Sequence, residues 1–229
     1  MNPDHIVYRT AVWIIPLMIA IVFHEVAHGW MAKWLGDPTA AERRRLSFNP
    51  IRHVDPVGTL ILPLGLAIAG APVFGWAKPV PVVAARLRNP RWGMVAVALA
   101  GPGMNLILAT IAALALGLTA AGVGQGQPGP VAAFIIANLI SFLWVNVFLA
   151  LFNLLPLPPF DGGHVVEGVL PRPLAARYAR LGQLGVVLLL GLLVVLPMIS
   201  PRLDVVQHLI APPAQALVGW FLSLAGAIA

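Results

Sequence analysis

Two histidines and a glutamate interrupt an apolar run that is long enough to cross a bilayer. The run covers residues 8–34 and contains Phe23-His24-Glu25-Val26-Ala27-His28-Gly29. Residues four apart share a helix face, so His24 and His28 point the same way and can grip one zinc ion. Glu25 sits one position round, where it can reach a water activated by that ion without being a ligand itself. Ionisable groups in hydrocarbon are costly, and they mark functional sites by default. The pattern therefore predicts a zinc-dependent hydrolytic site at membrane depth.

Composition supports a lipid-solvated chain. Of 229 residues, 59% are hydrophobic and only 10% are charged, against roughly a quarter charged in a soluble domain. The length holds five or six spanning helices of about 20 residues each and leaves no room for a separate soluble domain. We therefore expect an all-α polytopic membrane protein, one domain over 1–229, with a core at about 8–170 and accessory helices at about 177–229. With no cysteine, disulfides are excluded and nitrogen and oxygen must hold any zinc. The net charge of +6 comes from arginines flanking apolar spans, as loop and headgroup charges do, so no nucleic-acid partner is expected. No cleaved leader is expected either, because the first apolar run lacks a basic start and carries the motif.

Further apolar stretches lie at about 92–118, 131–155, 181–199 and 205–229, with a shorter one at 57–71 interrupted by Pro63, Gly65 and Gly70. If 57–71 crossed the bilayer, the arginine-rich loops on either side of it would face opposite compartments, against the positive-inside rule. A re-entrant path keeps both loops cytoplasmic and leaves the charge-free linker 119–130 outside. It also puts the N-terminus outside and the C-terminus inside. Irregular backbone at that depth must be buried in protein or line a wet cavity. At about 1.5 Å per residue, His24 is then about 14 Å from Lys33 and about 22 Å from Arg9, nearer the cytoplasmic end.

A catalytic zinc takes three protein ligands and keeps one position open. Asp161 is the candidate for the third, held at matching depth in Pro156-Leu157-Pro158-Pro159-Phe160-Asp161-Gly162-Gly163. Three motifs now stand in order: His24-Glu25-x-x-His28, Ala100-Gly101-Pro102-x-x-Asn105, and Asn153-x-x-Pro156-x-Pro158-x-x-Asp161-Gly162. In these the chain resembles the site-2 proteases, intramembrane zinc metalloproteases of the bacterial kind. Phe74-Gly75-Trp76-Ala77-Lys78-Pro79-Val80-Pro81 looks like a compact branch of that family, and no inserted PDZ-type domain is present. The resemblance implies that His24, His28 and Asp161 bind one zinc, that Glu25 is catalytic, and that the substrate is a transmembrane protein or peptide. It also implies a multi-pass location in a bacterial cytoplasmic membrane.

Amide hydrolysis needs a donor for the developing oxyanion. Asn153 is the first candidate and Asn105 the second, each weighed against the ordinary use of Asn as glue between membrane helices. The stretch 73–83 is expected to offer a β-like edge to an unwound substrate, although Pro79 and Pro81 each remove a donor. For His164 a supporting polar role is expected, and for His53 and Asp55 a loop-stabilising one. The rival functions are a zinc transporter and an inactive helix-binding relative. Oligomeric state and the identity of the substrate are not legible.

Overall fold

The computed structural model describes residues 5–70, 75–124 and 126–229. Among them the α-helices run in order α1 (Ile6–Trp34), α2 (Thr39–Glu42), α3 (Leu62–Ile68), α4 (Pro90–Val123), α5 (Pro130–Asn153), α6 (Asp161–Val169), α7 (Arg172–Ala179), α8 (Gly185–Leu190), α9 (Leu196–Ile199) and α10 (Ala211–Gly226). Five helical stretches are long and apolar enough to cross a membrane. They are α1, α4, α5, the run Arg172–Ile199 that joins α7, α8 and α9, and the run Val206–Gly226 that ends in α10. Trp13, Ile14, Ile15, Leu17 and Met18 are all exposed on α1. An outer face as apolar as the inner one is that of a helix solvated by lipid.

Helix α4 packs against α1 and α5, and α1 also meets α5. Small side chains make these approaches close. Ala109, Ala112 and Ala113 of α4 form one cluster with Leu143 and Val147 of α5 and with Ala214, Val218 and Phe221 of α10. This is the packing expected where no hydrophobic drive separates helix from lipid. Pro16 lies inside α1, which continues through it to Trp34.

Two expectations need correction. The segment Pro56–Ile68 is helical, passing from a π turn into α3, and is not irregular. Asp55 explains this: its carboxylate accepts from Val57 N and Gly58 N beside Pro56, which is the chemistry that starts a helix. At about 20 Å, the segment falls short of a hydrocarbon core of about 30 Å. The expected β-like edge is also missing. Residues 73 and 74 lie outside the described residues, and among those described there is no strand.

From Gly75 to Val83 the chain is instead pinned to the protein one atom at a time. Trp76 N donates to Gly58 O (3.1 Å) and Lys78 N to His53 O (2.8 Å), while Arg45 donates to Lys78 O (2.6 Å). Val80 N donates to Glu25 Oε2 (2.8 Å) and Val83 N to Asp37 Oδ2 (2.6 Å). These donors are already committed, and Pro79 and Pro81 have none to offer a neighbouring strand.

The anchor at Asp37 follows directly from the end of α1. Gly36, at φ +112, turns the chain in the left-handed region that favours glycine, and Asp37 N returns to Ala32 O (2.8 Å). The enclosed Asp37 carboxylate then accepts from Thr39 N (3.0 Å), the Thr39 hydroxyl and Val83 N. Burial pushes its carboxyl up, but the Thr39 hydroxyl, the Val83 and Thr39 amides and Arg86 together hold it below its ordinary value of 3.8. A depressed carboxyl stabilises the fold above its unfolded value, and this stabilisation is lost as pH falls through the folded one. Asp37→Ala is expected to cost about 1–3 kcal/mol at neutral pH by orphaning these donors. Unfolding in detergent should show the gap to wild type narrowing below about pH 4.

Candidate metal centre

Spacing by four on two helices builds the site. Ala20, His24 and His28 form one stripe on α1, and Val97, Gly101 and Asn105 form one on α4. The stripes face each other in opposite directions: Asn105 meets Ala20 and His24, and Val97 meets His28. Gly101 lies between, at the level of both rings. The two Nε2 atoms come within 3.0 Å of each other. Asp161 Oδ2 lies 3.2 Å from the His24 Nε2 and 3.4 Å from the His28 Nε2.

Asp161 reaches this point because two glycines follow it. A Cβ on Gly162 would overlap the Leu154 and Leu155 carbonyls, and one on Gly163 would lie 2.9 Å from Pro158 N. The first turn of α6 therefore folds tightly back on the turn that leaves α5. At the other end of α6, Arg91 of α4 donates to the carbonyls of Gly168, Val169 and Leu170. A cation there satisfies the last carbonyls of the helix, so both ends of α6 are fixed.

The hydrogen bonds around the rings settle which nitrogen carries the proton, a question that geometry alone leaves to the network. His28 Nδ1 is 2.7 Å from Val97 O. A carbonyl only accepts, so Nδ1 carries the hydrogen and the neutral ring presents its lone pair at Nε2. For His24 the direction is set through two amides. Asn146 Nδ2 donates to Phe142 O (2.8 Å), so its Oδ1 is left to accept from Asn105 Nδ2 (2.8 Å). Asn105 Nδ2 also donates to Ala20 O (3.3 Å), which turns Asn105 Oδ1 toward His24 Nδ1 at 2.6 Å. His24 Nδ1 is thus the donor, and its Nε2 is free as well. Asn105 and Asn146 are both 0% exposed, so water does not compete for these bonds.

Two imidazole lone pairs and a carboxylate oxygen therefore converge, and Asp161 Oδ2 is buried with no hydrogen-bond partner. Three electron-rich atoms at this separation repel unless a cation lies among them. Around a tetrahedral zinc with bonds of about 2.0–2.1 Å, ligand atoms sit about 3.3 Å apart, in line with the observed spacings. The donor set fits zinc, and the three residues form a group able to hold a metal ion. Gly101 keeps the space clear, since a Cβ there would overlap the His28 ring and lie 2.6 Å from His24 Cε1. Gly101→Ala is expected to splay the rings and lower metal occupancy at least tenfold in purified protein, read by elemental analysis. Asn146→Leu should weaken metal binding about tenfold, as loss of a ligand's supporting partner does, read by chelator competition.

Of the other residues singled out in the sequence, Glu25 accepts from Val80 N. Asn105 gives its amide hydrogens to Ala20 O and Asn146, and its oxygen faces His24 Nδ1. Asn153 closes α5 and donates one amide hydrogen to Leu149 O (2.9 Å). His164 stands apart from the cluster, 3.6 Å from Glu167. His53 donates to Ser47 O (2.8 Å) within its loop. Sequence reasoning missed Asn146 and the spacing role of Gly101. Asn146 could have been found as an amide two helical turns before Asn153 in an otherwise apolar span.

Comparison with known proteins agrees with this geometry. The family model of peptidase family M50 matches residues 121–193. Bacterial proteins named "Putative zinc metalloprotease" align along much of the chain. YwhC of Bacillus subtilis (strain 168) is 35% identical over 214 residues, covering 90% of this chain and 93% of that protein. Rip2 of Mycolicibacterium smegmatis is 30% identical over 187 residues, covering 82% of this chain and 66% of that protein. Protein sll0528 of Synechocystis is 42% identical over 81 residues, covering 35% of this chain and 19% of that protein. No solved structure matches the chain. With apolar helices able to cross a membrane and relatives of this kind, the chain belongs to peptidase family M50, the site-2-protease-like zinc metalloproteases.

Proposed function

We propose that the protein is an intramembrane endopeptidase, holding one zinc per chain on His24, His28 and Asp161. It cleaves peptide bonds within or beside the membrane span of a protein or peptide substrate. The observation that carries this reading is the convergence of two Nε2 atoms from a helix able to span the bilayer with the Asp161 carboxylate oxygen of α6. With all five candidate spans crossing, the N-terminus lies outside and the C-terminus inside.

A bound zinc would supply Lewis acidity, lowering the pKa of a water to about 7 and polarising a carbonyl. The chain's own groups do the rest. In their neutral form His24 and His28 present Nε2 as the ligand atom, because their Nδ1 hydrogens are committed to Asn105 and Val97. Glu25 takes the proton of the attacking water and delivers it to the leaving amine, the ordinary double duty of a general base. Asn153 has a second amide hydrogen beyond the one given to Leu149, and it is the candidate donor to the substrate's developing oxyanion.

Glu25→Gln keeps the shape of the side chain and removes the base. It should reduce cleavage of a single-span peptide by about 10²–10⁴-fold or more while zinc content stays at one per chain. Asp161→Asn should lose zinc and activity together. Retained cleavage by Glu25→Gln, or full zinc content in Asp161→Asn, would overturn the assignment. Zinc transport that survives Glu25→Gln would favour a transporter.

A further inference from the structure

The hydrogen bond between Glu25 and the backbone of Val80 is more specific than a chance contact. Across 79–81 the sequence reads Pro-Val-Pro, and proline has no N–H. Val80 thus carries the one backbone donor of the three residues, and it is given to Glu25 Oε2 at 2.8 Å. The conformation is dictated locally as well. Lys78 and Val80 each precede a proline, which pushes both into extended backbone. In extended chain alternate residues direct their backbone groups to the same edge, and Trp76 N and Lys78 N go to Gly58 O and His53 O. Val80 N is the next in that alternation. Beyond it, Val83 N is tied to Asp37.

The approach itself depends on Gly29, the residue after His28. A Cβ there would lie 2.9 Å from Val80 Cγ1 and 3.1 Å from the Ala40 Cβ. Glycine at this position lets the segment lie against α1 beside the carboxylate. Glu25, a flexible acid at a helix surface, therefore meets a donor that is fixed from both sides.

We propose that Val80, through its main-chain N–H, is a positioning residue for Glu25 and holds one carboxylate oxygen so that the other faces the reacting water. This rests on the reading of Glu25 as the base. An N–H donor to a carboxylate is among the stronger hydrogen bonds, and displacement of a reacting group by about 1 Å costs about a hundredfold in rate.

The test compares Val80→Pro with Val80→Ala. Both lose side-chain packing against Gly29, but only proline loses the donor, and it suits the extended backbone between two prolines. Relative to Val80→Ala, Val80→Pro should cleave a single-span peptide with kcat lower by about ten- to a hundredfold. KM and zinc content should be the same in the two variants. Equal kcat in the two would overturn the proposal.

A second measurement needs no change in the segment. Hydrogen exchange in detergent of a peptide covering 78–83 reads Val80 with no signal from 79 or 81. Glu25→Ala should speed exchange at Val80 at least tenfold while Lys78, bonded to His53 O, keeps its rate. Unchanged exchange at Val80 would overturn the contact even if Val80→Pro failed to fold. Failure of the underlying reading looks different, since Glu25→Gln would then cleave like wild type whatever the exchange result.

Discussion

Three electron-rich atoms pushed together at membrane depth are the constraint that the rest of the structure serves. Each imidazole has its Nδ1 hydrogen committed to an acceptor within 2.7 Å, so the neutral rings turn both Nε2 lone pairs toward the Asp161 oxygen. A bound metal ion would turn this repulsion into attraction. Three side chains from two elements far apart in sequence are placed to hold one. They stay fixed because each is braced from behind: His28 by the Val97 carbonyl, His24 by Asn105, and Asp161 by the tight turn at Gly162 and Gly163.

The brace behind His24 is the longest. Phe142 O, Asn146, Asn105 and His24 form a chain of donors and acceptors whose direction is set at its far end by a backbone carbonyl. Asn side chains are symmetric enough to flip, and a flipped Asn105 would place an N–H against His24 Nδ1 and move the ring proton to the metal side. The Ala20 and Phe142 carbonyls prevent this, because neither can donate. Burial makes the restraint strong, since a polar group denied its partner in the core has no water to turn to. Thus the helix backbone of α5 sets, through two amides, the tautomer of a histidine on α1.

Much of this was legible in the sequence, and the boundary has a physical cause. The pair at His24 and His28 shows itself because helical periodicity is local, and the spans show themselves because lipid demands apolar length. Asp161 was found because prolines and glycines fix a turn without help from distant contacts. Val97 could not be found, because every residue has a carbonyl and nothing in its side chain marks the one that is used. Asn105 was visible as a polar residue in a span, but its role depends on where its hydrogens go, and that is decided by α1 and α5. The same limit explains the missing β-like edge at 75–83. The sequence shows which residues lack an N–H, whereas the destinations of those at 76, 78 and 80 depend on Gly58, His53 and Glu25, which precede them in three separate elements.

Rigidity is distributed unevenly around the site, and the chemistry gives the reason. The metal-facing atoms belong to side chains braced by helix backbone or a glycine turn, because a ligand that drifts loses its ion. A general base, the role we propose for Glu25, has a different requirement. It must accept a proton from one place and deliver it to another within a turnover, so a carboxylate locked on every side would be a poor one. Glu25 has one oxygen tied, to Val80 of a pinned but non-helical segment. A single directional bond on one oxygen leaves the other free to exchange protons while the group as a whole stays in reach. The alternation of prolines with hydrogen-bonded residues at 78–81 thus suits a proton carrier as well as the helix stripes suit a metal.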